Sequence, residues 1–131
     1  MNLIFVSSGH YPDKHAAAIR HSTLAKGLAE QGHHITFLLL SPQDWKGKES
    51  IDYFGVQFTT LNTYTGHNKL LKNYHELKAI FKAKKIMKQQ AAEKKLDAVV
   101  IFTIELLPIH FLMKAAHAMG IKVLHERTEL P

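Results

Sequence analysis

The chemistry-bearing side chains of this sequence gather between Ser7 and Arg20, where Ser7-Ser8-Gly9-His10-Tyr11-Pro12-Asp13 leads through Lys14 and His15. Hydroxyls, histidines, a carboxylate and a guanidinium are the groups that hold phosphates and sugar hydroxyls. Gly9 lets the backbone approach a ligand closely, free N–H groups at the start of a following helix attract an anion, and Arg20 adds a bidentate donor a turn further on. Ser8, Gly9, His10, Asp13, His15 and Arg20 are therefore the candidate substrate-binding residues here. An ordinary strand-to-helix turn, capped by Asp13 and with Arg20 in solvent, is the competing account. At the far end of the chain Glu126 and Glu129 flank Arg127 and Thr128. Their carboxylates suit sugar hydroxyls or a basic group, and a salt bridge to Arg127 competes with that role.

Other chemistries are excluded by what is missing. A dinucleotide loop needs G-x-G-x-x-G, but Gly9 stands alone and Lys14 to Ala18 fill the place of the later glycines. No G-x-x-x-x-G-K-[ST] phosphate loop occurs. With no cysteine, disulfides, thiolate metal sites and thiol nucleophiles are ruled out, and the reducing cytoplasm is the expected compartment. The ten histidines contain no H-E-x-x-H. Adjacent His33 and His34 would point to opposite faces of a strand, and His110 and His117 would lie about 10 Å apart along a helix, too far to share an ion. No metal and no resident cofactor is expected.

The formal charge of +6 and pI near 9.6 call for an anionic partner. Much of the charge falls on one predicted helix, as Lys69, Lys72, Lys78, Lys82, Lys84, Lys85, Lys88, Lys94 and Lys95 against Glu76 and Glu93. Such a surface suits anionic headgroups, with Lys78, Lys82 and Lys85 as candidate membrane-facing residues and attachment at the inner face of the membrane as the expected form. A solvated outer face on a core-packed helix explains the same pattern. Nucleic acid is not an expected partner, because no aromatic side chains are interleaved as stacking platforms.

These residues need elements to position them. Leu3 to Val6 is an apolar strand that begins almost at Met1, with no basic leader or spanning apolar run before it. A first helix over 15–31 follows from the spacing of Ala17, His21, Leu24, Ala25 and Leu28, with Gly32 at its left-handed end. Ile35 to Leu40 reads as a strand buried on both faces. Residues 41–53, which include Pro42, Trp45 and Gly47, read as a loop before a short strand over 56–61. A long helix over 69–95 is expected to pack through Leu70, Tyr74, Leu77, Ile80, Phe81, Met87 and Ala91. A fourth strand over 97–102, a third helix over 106–119 ended by Gly120, and a fifth strand over 121–125 complete the pattern. At 131 residues and 46% hydrophobic content the chain suits one core, and the alternation predicts a doubly wound, mostly parallel α/β sheet of about five strands in the order 3-2-1-4-5.

Tyr11-Pro12, Ala16-Ala17-Ala18 and Arg20, then the run from Leu24 through Gly27 and Gly32 to Leu38, resemble the opening of retaining GT-B glycosyltransferases related to glycosyltransferase family 4. His125 to Pro131 is similar to the acidic-x-x-acidic-x-Pro segment that follows that family's fifth strand. The resemblance is concentrated in residues 2–40 and 121–131, and GT-B sugar-nucleotide epimerases share the opening. It implies a Rossmann-like N-terminal half of a GT-B enzyme, holding mainly the acceptor, with a C-terminal donor domain beyond this chain. It also implies a nucleotide-sugar donor as co-substrate, a glycan or lipid-linked acceptor, a role in cell-envelope polysaccharide synthesis, and no activity for this part alone. Two features depart from the pattern. Lys14-His15 stands near the usual paired glycines, and Phe102-Thr103 stands where many members carry a histidine, so no catalytic base is assigned. A non-catalytic flavodoxin-like binding domain is the alternative.

Overall fold

The computed structural model describes residues 1–11, 15–93, 96–102 and 106–125, with the backbone alone at 106–108. The elements in chain order are β1 (Asn2–Ser7), α1 (Ala16–Glu30), β2 (His34–Leu39), β3 (Ser50–Tyr53), β4 (Val56–Thr60), α2 (Lys69–Ala92), β5 (Ala98–Ile101), α3 (Leu106–Ala118) and β6 (Lys122–His125). They form one six-stranded sheet in the order β3-β4-β2-β1-β5-β6. Every pairing is parallel except β3 with β4. The fold is a Rossmann-like α/β half-domain, and its parallel strands follow the expected order. The outward steps from β1 put α1 on one face, while α2 and α3 lie together on the other.

The apolar runs explain the centre of the sheet. Ile4, Val6, Leu38, Val99 and Ile101 turn to the face of α2 and α3, while Leu3, Phe5, Ile35, Phe37 and Leu39 turn to α1. Phe37 is in register with both Phe5 and Phe58, so a row of rings crosses the strands. Phe5 and Phe37 meet edge-on at 5.6 Å, and Phe37 stacks on Phe58 at 4.8 Å. Each such pair contributes about 0.5–1.5 kcal/mol beyond its buried area. Further along this face, toward β5 and β6, Leu24, Leu28, Val100 and Leu124 border an apolar groove of about 430 Å³.

Helix ends follow their local chemistry. The side chain of His15 caps α1 by accepting from the Ala18 amide at 3.1 Å, the task that the ordinary-turn account gave to Asp13. Asn68 caps α2, its Oδ1 accepting from the amides of Leu70 and Leu71 at 3.0 and 3.3 Å. Gly32 closes α1 with φ +94°. There the Gly32 amide bonds the Ala29 carbonyl and the His33 amide bonds that of Leu28, a Schellman pattern that needs the left-handed conformation.

Two expectations are corrected. The segment read as loop over 41–53 contains β3, which turns into β4 through Phe54 and Gly55 at φ 51° and 87°. Consecutive left-handed residues make a type I′ hairpin turn, and glycine is at home there while phenylalanine is not. The Lys26 ammonium, 4.1 Å above the Phe54 ring, and Tyr53, edge-on at 4.7 Å, help hold that residue in place. The second correction concerns α2. Its buried face consists of Ala79, Ile80, Ala83 and Met87, so most of the expected apolar stripe points outward. Leu70, Tyr74, Leu77 and Phe81 are exposed, and the helix packs into the core through two alanines, an isoleucine and a methionine instead.

Candidate functional site

The carboxyl ends of β1, β2 and β4 lie side by side, and their loops are fastened to one another. The amide of Gly9 donates to Ser41 Oγ, and the same hydroxyl donates back to the Gly9 carbonyl, both at 2.8 Å. Gln43 Nε2 donates to that carbonyl at 2.6 Å, while its Oε1 accepts from the Tyr11 amide at 2.9 Å. The Trp45 indole N–H reaches the Tyr11 carbonyl at 3.0 Å. On the far side, the Thr60 hydroxyl donates to the Ser41 carbonyl at 2.8 Å, and Asn62 accepts from the Tyr64 amide at 3.0 Å. The chain leaves these strands already braced.

Above this brace lies a cleft of about 350 Å³, bordered among others by His10, Gln43, Asp44, Tyr64, His67 and Lys72. Tyr64 stacks on His75 with ring centroids 4.6 Å apart and planes 10° from parallel. Gly66 makes room for that ring, since a Cβ there would stand 2.5 Å from the Tyr64 hydroxyl oxygen. The lining offers imidazoles, an amide, a carboxylate, a phenol and an ammonium. That mixture suits a ligand rich in hydroxyl groups, at the small end of ligand-site volumes.

Behind the cleft runs a buried polar chain. Ser7, Tyr11 and His21 are each 2% exposed. Tyr11 Oη lies 2.7 Å from Ser7 Oγ and 2.7 Å from His21 Nδ1, and Arg20 Nη2 lies 3.3 Å from His21 Nε2. A guanidinium can only donate, so Nε2 must accept and the proton of neutral His21 sits on Nδ1. The direction then follows. His21 donates to Tyr11, Tyr11 to Ser7, and Ser7 to the Ser8 carbonyl at 3.2 Å. Burial, the Arg20 charge and the nearby His15 together lower the His21 pKa to about 4, which keeps the imidazole neutral. Phe102 stacks on it at 3.9 Å.

The residues expected from sequence divide between these two places. His10 borders the cleft. Ser8 and Gly9 form the strand-to-loop turn beneath it, with both polar backbone groups of Gly9 engaged by Ser41 and Gln43. His15 caps α1, and a Cβ on Gly9 would come 2.9 Å from its Nε2. Arg20 is exposed but leans on His21. Asp13, Glu126 and Glu129 lie outside the described residues. Lys78, Lys82 and Lys85 stand on the exposed side of α2, away from the cleft. Among the described residues no three His, Asp or Glu side chains group as metal ligands. Sequence reasoning did not single out Ser41, Gln43, Asp44, Tyr64, His67 or Lys72 as site residues. The loop character of 41–53 and Gly66 was the only available signal.

No protein-family model and no curated protein sequence matches this chain. Solved structures do. A sucrose-phosphate synthase from Thermosynechococcus elongatus is similar at 18% identity and TM-score 0.64, over 98% of this chain and 33% of the synthase. The C-terminal domain of a hydrogenase from Pyrococcus furiosus is similar at 12% identity and TM-score 0.64, over 95% of this chain and 90% of that domain. This chain thus spans about a third of the length of the synthase. At these identities the likeness is one of fold.

Proposed function

We propose that this chain is the acceptor-side half of a retaining GT-B glycosyltransferase, which moves a sugar from a nucleotide-sugar donor to a glycan or lipid-linked acceptor. The observation that carries the reading is the braced polar cleft at the carboxyl ends of β1, β2 and β4, where open α/β sheets bind their ligands. The resemblance in residues 2–40 and the likeness to a sucrose-phosphate synthase, a GT-B glycosyltransferase, support it.

In this reading the protein orients groups and bonds to none of them. His10, Gln43 and Asp44 hydrogen-bond acceptor hydroxyls, while Tyr64 offers a flat apolar surface to a sugar face. Holding the acceptor hydroxyl in line with the donor converts a bimolecular encounter into a positioned one. Arg20, at the start of α1, adds positive charge toward the donor phosphates across the cleft. The donor itself is held by a second domain of the full-length enzyme.

The test is sugar transfer by the full-length protein with Gln43→Ala, Asp44→Ala and Arg20→Ala. Cleft variants should raise the acceptor KM more than tenfold, and Arg20→Ala should lower turnover. Unchanged turnover in Arg20→Ala would remove its role, and unchanged acceptor KM in both cleft variants would sink the acceptor assignment. A second reading is a non-catalytic flavodoxin-like binding module, and the hydrogenase domain that matches over 90% of its length places the same fold outside glycosyltransferases. Full-length protein that binds no nucleotide sugar would favour it.

A further inference from the structure

Helix α2 has two apolar faces, and folding uses only one of them. Opposite the buried Ala79, Ile80, Ala83 and Met87 stand Leu70, Tyr74, Leu77 and Phe81, which are 80%, 58%, 37% and 49% exposed. Their spacing of i, i+4, i+7 and i+11 sets them in one ridge along about 16 Å of helix. Turning about 100° per residue, the helix places Lys78, Lys82 and Lys85 along one flank of this ridge, Lys84 along the other, and Lys88 in line with the ridge two turns beyond Phe81. Beyond Phe81 the apolar surface continues onto α3, whose Phe111 ring lies 6.1 Å away. A groove of about 370 Å³ between the helices has Phe111, Ala115 and Met119 in its floor and Lys84, Lys88 and Lys114 around it.

Large apolar side chains in a line on the wet side of a helix, with a third or more of their surface in solvent, add little to the core. Lysines on both sides of them specify what they meet. Within α2 the sequence carries seven lysines against the single acid Glu76. A second copy of the chain laid on this face would oppose lysines to lysines, which disfavours self-association. An anionic bilayer answers both features, since the ridge enters the boundary between headgroups and acyl chains while lysine stems lie along it and place their ammonium groups at the phosphates.

We propose that the outer face of α2, continued by the groove against α3, docks on an anionic lipid bilayer. Leu70, Leu77 and Phe81 insert, and Lys78, Lys82, Lys85, Lys84 and Lys88 pair with headgroups. No helix among the described residues is long and apolar enough to cross a membrane, so the attachment lies in the plane of the interface. Docking and sugar transfer are separate claims, because vesicle binding needs no nucleotide sugar and either one can fail alone.

The test is flotation of the full-length protein with phosphatidylcholine vesicles, with and without about one third phosphatidylglycerol. Binding should be at least about tenfold stronger to the anionic vesicles, and added salt should weaken it. Lys78→Glu/Lys82→Glu/Lys85→Glu should lose roughly a hundredfold in affinity. Leu77→Ser/Phe81→Ser should lose binding to the same vesicles while circular dichroism shows an unchanged fold. Equal binding to both vesicle types, no binding by the wild type, or full binding by the folded ridge variant would overturn the proposal. Light scattering that shows a dimer lost on Leu77→Ser/Phe81→Ser would assign the face to a second copy instead.

Discussion

Gly9 and Ser41 form a reciprocal pair, the serine hydroxyl accepting from the glycine amide and donating to the glycine carbonyl at 2.8 Å each way. One side chain thus does what a neighbouring strand would do for a backbone residue that has left the sheet. Ser41→Ala removes both bonds at once. It should destabilise the fold by about 1–2 kcal/mol in urea titration, because Gln43 still satisfies the carbonyl but the amide loses its partner. A change of only a few tenths would show that the brace adds little.

His21 makes stability depend on pH with a definite sign. The unfolded imidazole takes up a proton near 6.5, the folded one only near 4. Between those values protons bind the unfolded chain alone, so stability is full above about pH 6.5 and declines toward pH 4, by up to roughly 3 kcal/mol. His21→Phe should flatten that slope relative to the wild type. Histidine NMR titration checks the cause, since His21 should hold its Nδ1–H signature down to about pH 5.

Two aliphatic positions on α2 test its orientation. Ile80 is 2% exposed and Leu70 is 80% exposed. Ile80→Ala should cost about 2–4 kcal/mol, whereas Leu70→Ala should stay within about 0.5 kcal/mol. Equal losses would mean that the helix is rotated from the orientation described.

Gly66→Ala separates the site from the scaffold. Its new methyl meets the outer end of the Tyr64 ring, a side chain that can swing away at small cost. Thermal stability should change by only a few degrees, while acceptor affinity in the cleft should fall several-fold as Tyr64 leaves its stack on His75. A large drop in Tm with unchanged affinity would contradict the placement of Tyr64 in the cleft wall.

The sequence was legible where a residue's surroundings are settled by its near neighbours. Leu3 to Val6 and Ile35 to Leu40 are buried on both faces, so their apolar runs, broken only by Thr36, identify central parallel strands. Gly32 and Gly120 marked helix ends because their left-handed conformation belongs to the local turn. β3 was hidden because it lies at the sheet edge with exposed residues alternating with half-buried ones, and its first residue and its aspartate look like loop. α2 misled because large apolar residues lie on both of its faces, and the core chose the one bearing alanines. The site was half visible. The loop after β1 announces itself by residue type, but its partners Ser41, Gln43 and Tyr64 are brought to it by the sheet, and no periodicity records that meeting.

The pairing of β1 bears on the order of assembly during synthesis. Its amide at Asn2 bonds Asp97 across 95 positions, whereas the Gly9–Ser41 brace spans only 32. β1, α1, β2 and the β3–β4 hairpin can all meet while β5 is still unmade, and late pairings across such long loops are the slow ones. A nascent chain stalled just past Lys72 would already contain all the described residues that border the cleft, with one side of β1 still an open edge. That edge is the surface most in need of protection until β5 arrives.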